Sequence, residues 1–252
     1  MKTSSTDEWF TASVGKRPAK LRLFCFPYAG GRAAIFRSRH KLLPDTVELC
    51  AFQLPGHGNR MRESPSANAS DLASEISAVF PRYLDKPFAI FGHSVGALIG
   101  FELARHLRSD HGVEPAHLFA SGRGAPQVPE TEDFTHKLPD DEFIEELRRL
   151  NGTPEDALQH PELMKMIIPV LRAGFEMSQT YEYKEQPPLS CPITVFGGIK
   201  DTDVTRESLS AWQEQTSSGF TLRMLPGTHF FLHEYERELL QMISQDLHAL
   251  AL

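Results

Sequence analysis

Residues Phe91-Gly92-His93-Ser94-Val95-Gly96 set a Gly-x-Ser-x-Gly pattern between an apolar run and a helical one, and they constrain the fold more than any other stretch. Pro87-Phe88-Ala89-Ile90-Phe91 reads as a short buried strand, whereas Ala97-Leu98-Ile99-Gly100-Phe101-Glu102-Leu103-Ala104 has helical period and no proline. The chain must therefore turn from strand to helix within very few residues. Gly92 and Gly96 remove Cβ atoms that would collide there, and such a turn holds the Ser94 hydroxyl out at the sheet edge. Ser between glycines is common in loops, where it merely caps a helix. The strand–turn–helix setting is what makes Ser94 a candidate nucleophile.

A nucleophilic serine needs a base, and the base needs an orienting acid. Of eleven histidines, His229 stands out by context. Phe220 to Leu225 alternates like a strand, and Pro226-Gly227-Thr228-His229-Phe230-Phe231 is a loop feeding the C-terminal helix. His233 is the rival, but its place a turn into that helix suits capping or solvation. His93 neighbours the serine, with its side chain expected to point away across the turn. For the acid, Cys191 to Phe196 reads as an apolar strand followed by Gly197-Gly198-Ile199-Lys200-Asp201-Thr202-Asp203-Val204. Asp201 is the choice and Asp203 its competitor; either could instead cap the helix expected from Thr205 to Gln215. An oxyanion hole would take one donor from the Val95 N–H, at the positive end of a helix. The second is expected from the loop Pro27-Tyr28-Ala29-Gly30-Gly31 after the strand Leu21 to Phe26, with Ala29 favoured over Tyr28.

Strand-like runs at Leu21–Phe26, Val47–Gln53, Phe88–Phe91 and His117–Ser121 alternate with helical stretches, and two more follow at Ile193–Phe196 and Thr221–Leu225. This rhythm predicts an α/β fold: a mainly parallel sheet with helices on both faces, in one domain spanning residues 1–252. The rhythm breaks from Gln127 to Pro187, which has helical but no strand signal. Phe143, Ile144, Leu147 and Leu150 form one apolar face. Thr153-Pro154-Glu155-Asp156 reads as N-cap, first-turn proline and acidic first turn. Leu163, Ile167, Ile168, Leu171 and Phe175 form a second stripe, with a kink expected at Pro169. An insertion between serine and acid is the expected place for a lid, and Met164, Ile168, Leu171, Phe175 and Met177 are the acyl-pocket candidates.

Met1 to Phe10 shows no apolar signal region, and no run approaches the roughly 20 apolar residues of a membrane span. Cys25, Cys50 and Cys191 lack metal spacing and lie in apolar strands, as reduced core residues do. A cytoplasmic monomer without metal or cofactor is expected. The net charge of −7, with no basic–aromatic stripe, excludes a nucleic-acid partner. Residues 127–187 hold 14 acidic and 6 basic side chains, so the insertion carries the excess negative charge.

Taken together in order, several motifs resemble the type II, or external, thioesterases of polyketide and nonribosomal peptide synthesis, within the α/β-hydrolase superfamily. They are Leu23-Phe24-Cys25-Phe26-Pro27-Tyr28-Ala29-Gly30-Gly31, Gln53-Leu54-Pro55-Gly56-His57-Gly58 and Gly92-His93-Ser94-Val95-Gly96-Ala97-Leu98. Ser121-Gly122-Arg123-Gly124-Ala125-Pro126, Leu138-Pro139-Asp140, Gly198 to Val204 and Pro226 to Phe231 complete the set. The resemblance implies the α/β-hydrolase fold, a Ser94–Asp201–His229 triad and oxyanion donors at Ala29 and Val95. It also implies an acyl thioester on the phosphopantetheine of an acyl or peptidyl carrier protein, cleaved through acyl-Ser94 to remove wrong or stalled groups. Release of medium-chain fatty acids is the variant; an acyltransferase, a carboxylesterase or a silent carrier-binding protein are the rivals. His57 stands where Arg is frequent, Gly174 where an acidic residue is common and Thr202 where Pro is frequent, which bears on substrate preference rather than on the reaction. Acidic carriers would be drawn to a basic segment rather than to the insertion, and Arg32, Arg37, Arg39 and Lys41 follow the oxyanion loop.

Overall fold

The computed structural model describes residues 9–12, 19–129 and 134–248. Most of Met1 to Phe10 and residues 130–133 of the insertion therefore lie outside the described residues. The described strands are β1 (Phe10–Ala12), β2 (Leu21–Phe26), β3 (Val47–Phe52), β4 (Phe88–His93), β5 (His117–Ser121), β6 (Ile193–Gly198) and β7 (Phe220–Leu225). They form one sheet in the order β1-β3-β2-β4-β5-β6-β7. All neighbours are parallel except β1, which pairs antiparallel with β3 at the edge. Three residues cannot display a period, so β1 has no alternation for a sequence reading to find.

Parallel strands are covered on both faces, which is why they read as continuous apolar runs. Leu23 and Cys25 of β2 join Leu49, Ala51 and Phe91 in one core, against Leu239, Leu240 and Ile243 of the last helix. Phe24 and Phe26 point the other way, toward Phe52, Ile90, Leu72, Ile76, Leu98 and Phe101. Each such buried side chain contributes about 1.5–3 kcal/mol relative to exposure. Cys25, Cys50 and Cys191 are buried free thiols; burial pushes the last two up to about 12 and the first higher, so they are inert packing groups.

The helices are α1 (Ala69–Val79), α2 (Val95–His111), α3 (Asp140–Leu150), α4 (Glu155–Leu158), α5 (Pro161–Gln179), α6 (Arg206–Ser210), α7 (Phe231–Glu234) and α8 (Glu236–His248). α5 continues as one helix through Pro169. α4 starts at Glu155 with Pro154 in the cap position, one residue later than the sequence signal placed it. The helix expected from Thr205 to Gln215 is split into α6 and a 3-10 stretch at Ala211–Gln215; the Thr205 hydroxyl caps α6 by accepting from the Ser208 N–H. Among the described residues no helix is long and apolar enough to cross a membrane.

Topology places the site. From β2 the chain crosses to β3 on one side, whereas from β4 it crosses to β5 on the other. The sheet order thus reverses between β2 and β4, and loops leaving their C-terminal ends diverge to open a crevice there. The loop 27–31 and Ser94 start side by side at that point, because Phe26 pairs with Gly92. Helices α3 to α5, inserted between β5 and β6, bury their own cluster of Phe143, Leu147, Leu158, Met164, Ile168 and Leu171.

A Cβ on Gly92 would lie 2.1 Å from the Gly96 carbonyl oxygen, where nothing but backbone can yield. Gly92→Ala is expected to cost about 3 kcal/mol or more, lowering the thermal midpoint by roughly 6–12 °C. A midpoint within a degree or two of the parent would show that the turn is not so tightly packed.

Candidate active site

Ser94 adopts φ 55° and ψ −125°, one of only two positive-φ residues other than glycine among those described. Such backbone costs on the order of 1–3 kcal/mol and persists only where the surroundings over-determine it. Here they do. The Ser94 N–H donates to the Ser121 carbonyl at 2.7 Å, and the Ala97 N–H donates to the Ser94 carbonyl at 2.9 Å. α2 starts one residue later, so its positive end lies beside the serine.

The loop after β2 presses against the same helix end. A Cβ on Gly96 would come within 2.5 Å of the Phe26 and Pro27 carbonyl oxygens, so only glycine allows this approach. The Gly31 N–H donates to the Tyr28 carbonyl at 2.8 Å and closes a turn at Gly30, φ 74°. Among the described residues no acceptor is paired with the Ala29 or the Val95 N–H. The unpaired Val95 N–H directly follows Ser94 and Ala29 lines the same cleft as Ser94, so both amides are candidate donors to an oxyanion there.

Asp201 and His229 are brought together. The His229 Nδ1–H donates to Asp201 Oδ2 at 2.8 Å. The carboxylate is 1% exposed, and its other oxygen accepts from the Asp203 and Val204 N–H groups at 3.1 and 3.2 Å. These bonds occupy the acid and fix the tautomer that leaves His229 Nε2 with its lone pair. The two loops are zipped to each other: the Ile199 N–H donates to Leu225 O and the Lys200 N–H to Gly227 O, both at 2.8 Å. Asp203 turns elsewhere, pairing with Arg149 of α3 at 2.9 Å.

His93 lies under the site. It is fully buried, bonds Ser121 Oγ through Nδ1 at 2.9 Å, and packs against the His229 ring at 5.2 Å between centroids. Desolvation first, then the neighbouring His229 and Arg39, hold its pKa well below the ordinary histidine value. It is a neutral ring packed against His229, and it fills the space that a Cβ on Gly122 would need. His57 is likewise buried, with Nδ1 donating to the Pro55 carbonyl at 2.9 Å; burial lowers its pKa.

Ser94, His229 and Ala29 line one cleft of about 470 Å³. Its apolar wall comes from Leu147, Leu150, Leu171 and Phe175 of the insertion, and Phe230 completes it from the histidine loop. The insertion reaches the loops after β2, β6 and β7. Leu171 packs on Gly30, Gly174 faces Ala29 with no side chain between them, and Gly152 meets the Phe230 ring; the Arg149–Asp203 pair makes the remaining contact.

Of the five acyl-pocket candidates, only Leu171 and Phe175 line this cleft. Met164 and Ile168 are buried in the insertion's own cluster nearer the start of α5, whereas Leu171, on the same face and in the same cluster, also reaches the cleft. Met177 packs in the main core and borders a separate cavity of about 20 Å³ behind Ala29 and Val95, roughly the space of one water. Sequence reasoning missed Arg123 and Ser178, which line the cleft and hydrogen-bond each other. The signal was the Ser121-Gly122-Arg123-Gly124 run at the C-terminal end of β5. Arg39, expected on the basic surface segment, is 1% exposed and bound to Glu236 and the Leu232 carbonyl, so it cannot serve as a surface contact. Arg32, Arg37 and Lys41 are exposed.

Residues 21–247 match the family model of the thioesterase domain. The chain is 46% identical over 244 residues to the gramicidin S biosynthesis protein GrsT of Aneurinibacillus migulanus, covering 97% of this chain and 95% of that one. It is 34% identical over 230 residues to the medium-chain S-acyl fatty acid synthase thioesterase of Anas platyrhynchos, covering 88% and 90%. Among solved structures, the RedJ thioesterase from the prodiginine pathway of Streptomyces coelicolor superposes with a TM-score of 0.86 at 36% identity, covering 92% of this chain and 94% of that one.

Buried neutral histidines give the fold a defined acid response. His117 of β5, bonded to Thr194 Oγ1, is lowered by burial to about 4. Above pH 6.5 it is neutral folded or unfolded and contributes nothing; below, the unfolded chain takes up a proton that the folded chain refuses. Stability is therefore lost as pH falls from 6.5 toward 4, by about 2 kcal/mol from His117 alone at pH 5. His117→Gln is expected to flatten the fall in thermal midpoint between pH 7 and 5. An unchanged slope would contradict this.

Proposed function

Since the chain belongs to the thioesterase family, we propose that it hydrolyses acyl thioesters held on the phosphopantetheine arm of carrier-protein domains. It would act as a stand-alone editing enzyme of nonribosomal peptide or polyketide assembly. The observation that carries the chemistry is the Asp201–His229 hydrogen bond beside a cleft shared by His229 and the strained Ser94. The observation that favours this setting is near end-to-end similarity to a gramicidin S biosynthesis protein.

In this reading, Ser94 Oγ attacks the thioester carbonyl while His229 Nε2 takes its proton. The carbonyl π electrons move to oxygen, and the Ala29 and Val95 N–H groups stabilise that charge. The tetrahedral intermediate collapses by breaking the C–S bond. The thiolate, a good leaving group, departs and takes up the proton held by His229, which restores the neutral imidazole; this protonation assists departure less than it would in amide cleavage. His229 then removes a proton from water, hydroxide adds to the acyl-Ser94 carbonyl, and Ser94 leaves with the proton back from His229. Asp201 holds the imidazole tautomer throughout. Every proton and electron pair is thereby accounted for between substrate, water, Ser94 and His229, and the proposal includes no cofactor of the enzyme's own.

The insertion is proposed as the lid of this cleft, with Leu171 and Phe175 against the acyl group. An acyl or peptidyl carrier protein is the proposed partner, and a cytoplasmic monomer the proposed form. Similarity to the duck medium-chain enzyme favours a second reading, the release of medium-chain fatty acids.

The test uses carrier domains loaded with acetyl, propionyl, butyryl, hexanoyl and aminoacyl groups, following loss of acyl mass from the intact carrier. Release is expected, slowed at least about a thousandfold in Ser94→Ala. Fastest release of short or aminoacyl units fits editing; a rate rising with chain length fits the second reading. No release from any carrier would overturn both.

A further inference from the structure

His233, the histidine that sequence reasoning set aside, makes a contact that the chemistry above does not use. It sits on α7, four residues after His229, and its Nε2 lies 3.0 Å from the Tyr28 hydroxyl. Its Nδ1 faces Arg39 Nη2 at 3.5 Å. Arg39 is itself fixed, donating to Glu236 at 2.7 Å and to the Leu232 carbonyl at 2.9 Å. A guanidinium has only donors. The nitrogen facing it must therefore carry the lone pair, which puts the proton of a neutral ring on Nε2. Desolvation, then Arg39, lower the His233 pKa, so the ring is neutral near pH 7. Nε2–H consequently donates to the Tyr28 oxygen. The Tyr28 ring is held besides by edge contact with Phe230 at 5.0 Å and with His93 at 5.9 Å.

Tyr28 immediately precedes Ala29, and its carbonyl accepts the Gly31 N–H that closes the loop. Anchoring its side chain fixes the peptide that carries the Ala29 N–H. The same short segment, residues 229–233, thus bears the base at one end and at the other a group tied to the oxyanion loop. We propose that His233 is a positioning residue: through its hydrogen bond to Tyr28 it sets the Ala29 N–H relative to Ser94 and His229. The proposal rests on the reading of Ala29 as an oxyanion donor. Such a role stabilises charge that develops only in the transition state, so its loss falls on kcat rather than KM.

The experiment compares the parent, His233→Ala, His233→Gln, Tyr28→Phe and the His233→Ala/Tyr28→Phe pair on one soluble acyl thioester, with thermal unfolding of each. His233→Ala and Tyr28→Phe are each expected to lower kcat about tenfold with KM within about twofold, since small displacements of catalytic groups cost one to two orders of magnitude. The pair should be no worse than either single change, because both break one link. His233→Gln, whose amide can donate where Nε2–H does, should recover most of the rate. Additive losses, an unchanged kcat in Tyr28→Phe, or losses that follow the thermal midpoint and are not rescued by Gln would overturn the proposal. Should His233→Ala fail to fold, Tyr28→Phe and His233→Gln decide by the same criteria. Failure of the thioesterase reading itself would look different, since the parent would then release no acyl group.

Discussion

The active end of the sheet hangs on one backbone contact. Gly92 and Gly96 pack so closely that β4 turns into α2 at Ser94 alone, and that single residue absorbs the reversal as positive φ. The constraint acts in three directions. It lifts the Ser94 side chain out of the helix, it leaves the Val95 N–H free at a positive helix end, and it lets the Phe26–Pro27 backbone touch Gly96. Strain at Ser94 is offset by the hydrogen bond to the Ser121 carbonyl and by the core behind it.

Topology supplies the rest of the placement. Because the sheet order reverses between β2 and β4, the loop 27–31 and Ser94 share a crevice, while β6 and β7 deliver Asp201 and His229 from beyond β5. Two buried histidines near this crevice are kept neutral, because burial depresses His93 and His57. A neutral His93 against the His229 ring places no fixed positive charge where an imidazolium is proposed to form. The carboxylate of Asp201, held by two backbone amides, is the anionic group in direct contact with that ring.

The inner parallel strands were legible because they are buried on both faces and read as continuous apolar runs, whereas β7, the partly exposed edge strand, was legible by its alternation. β1 was not, since its place depends on pairing with β3 rather than on its own pattern. Ser94, Asp201 and His229 stood out because each follows a strand at a position with its own turn chemistry, and the structure brings Asp201 to His229 and sets His229 and Ser94 on one cleft. The acyl-pocket candidates fared differently. An amphipathic stripe shows that a helix buries a face, but not against what; along one stripe of α5, Met164 and Ile168 pack within the insertion alone, while Leu171 and Phe175 pack there and also line the cleft. Arg39 illustrates the same limit, because a charge reads as surface until the long-range partner that buries it is known; His233 is at the surface as its position suggests, but its bond to Tyr28 was not readable.

The central claim, that hydrolysis passes through an acyl group on Ser94, is tested most directly by rapid quenching of the enzyme with a slowly hydrolysed acyl thioester. Peptide mass spectrometry would then locate any acyl group. The account predicts an adduct on the peptide containing Ser94, forming before free acid appears and absent from Ser94→Ala. An acyl group on another residue, or acid released with no adduct at any time and undiminished in Ser94→Ala, would contradict it.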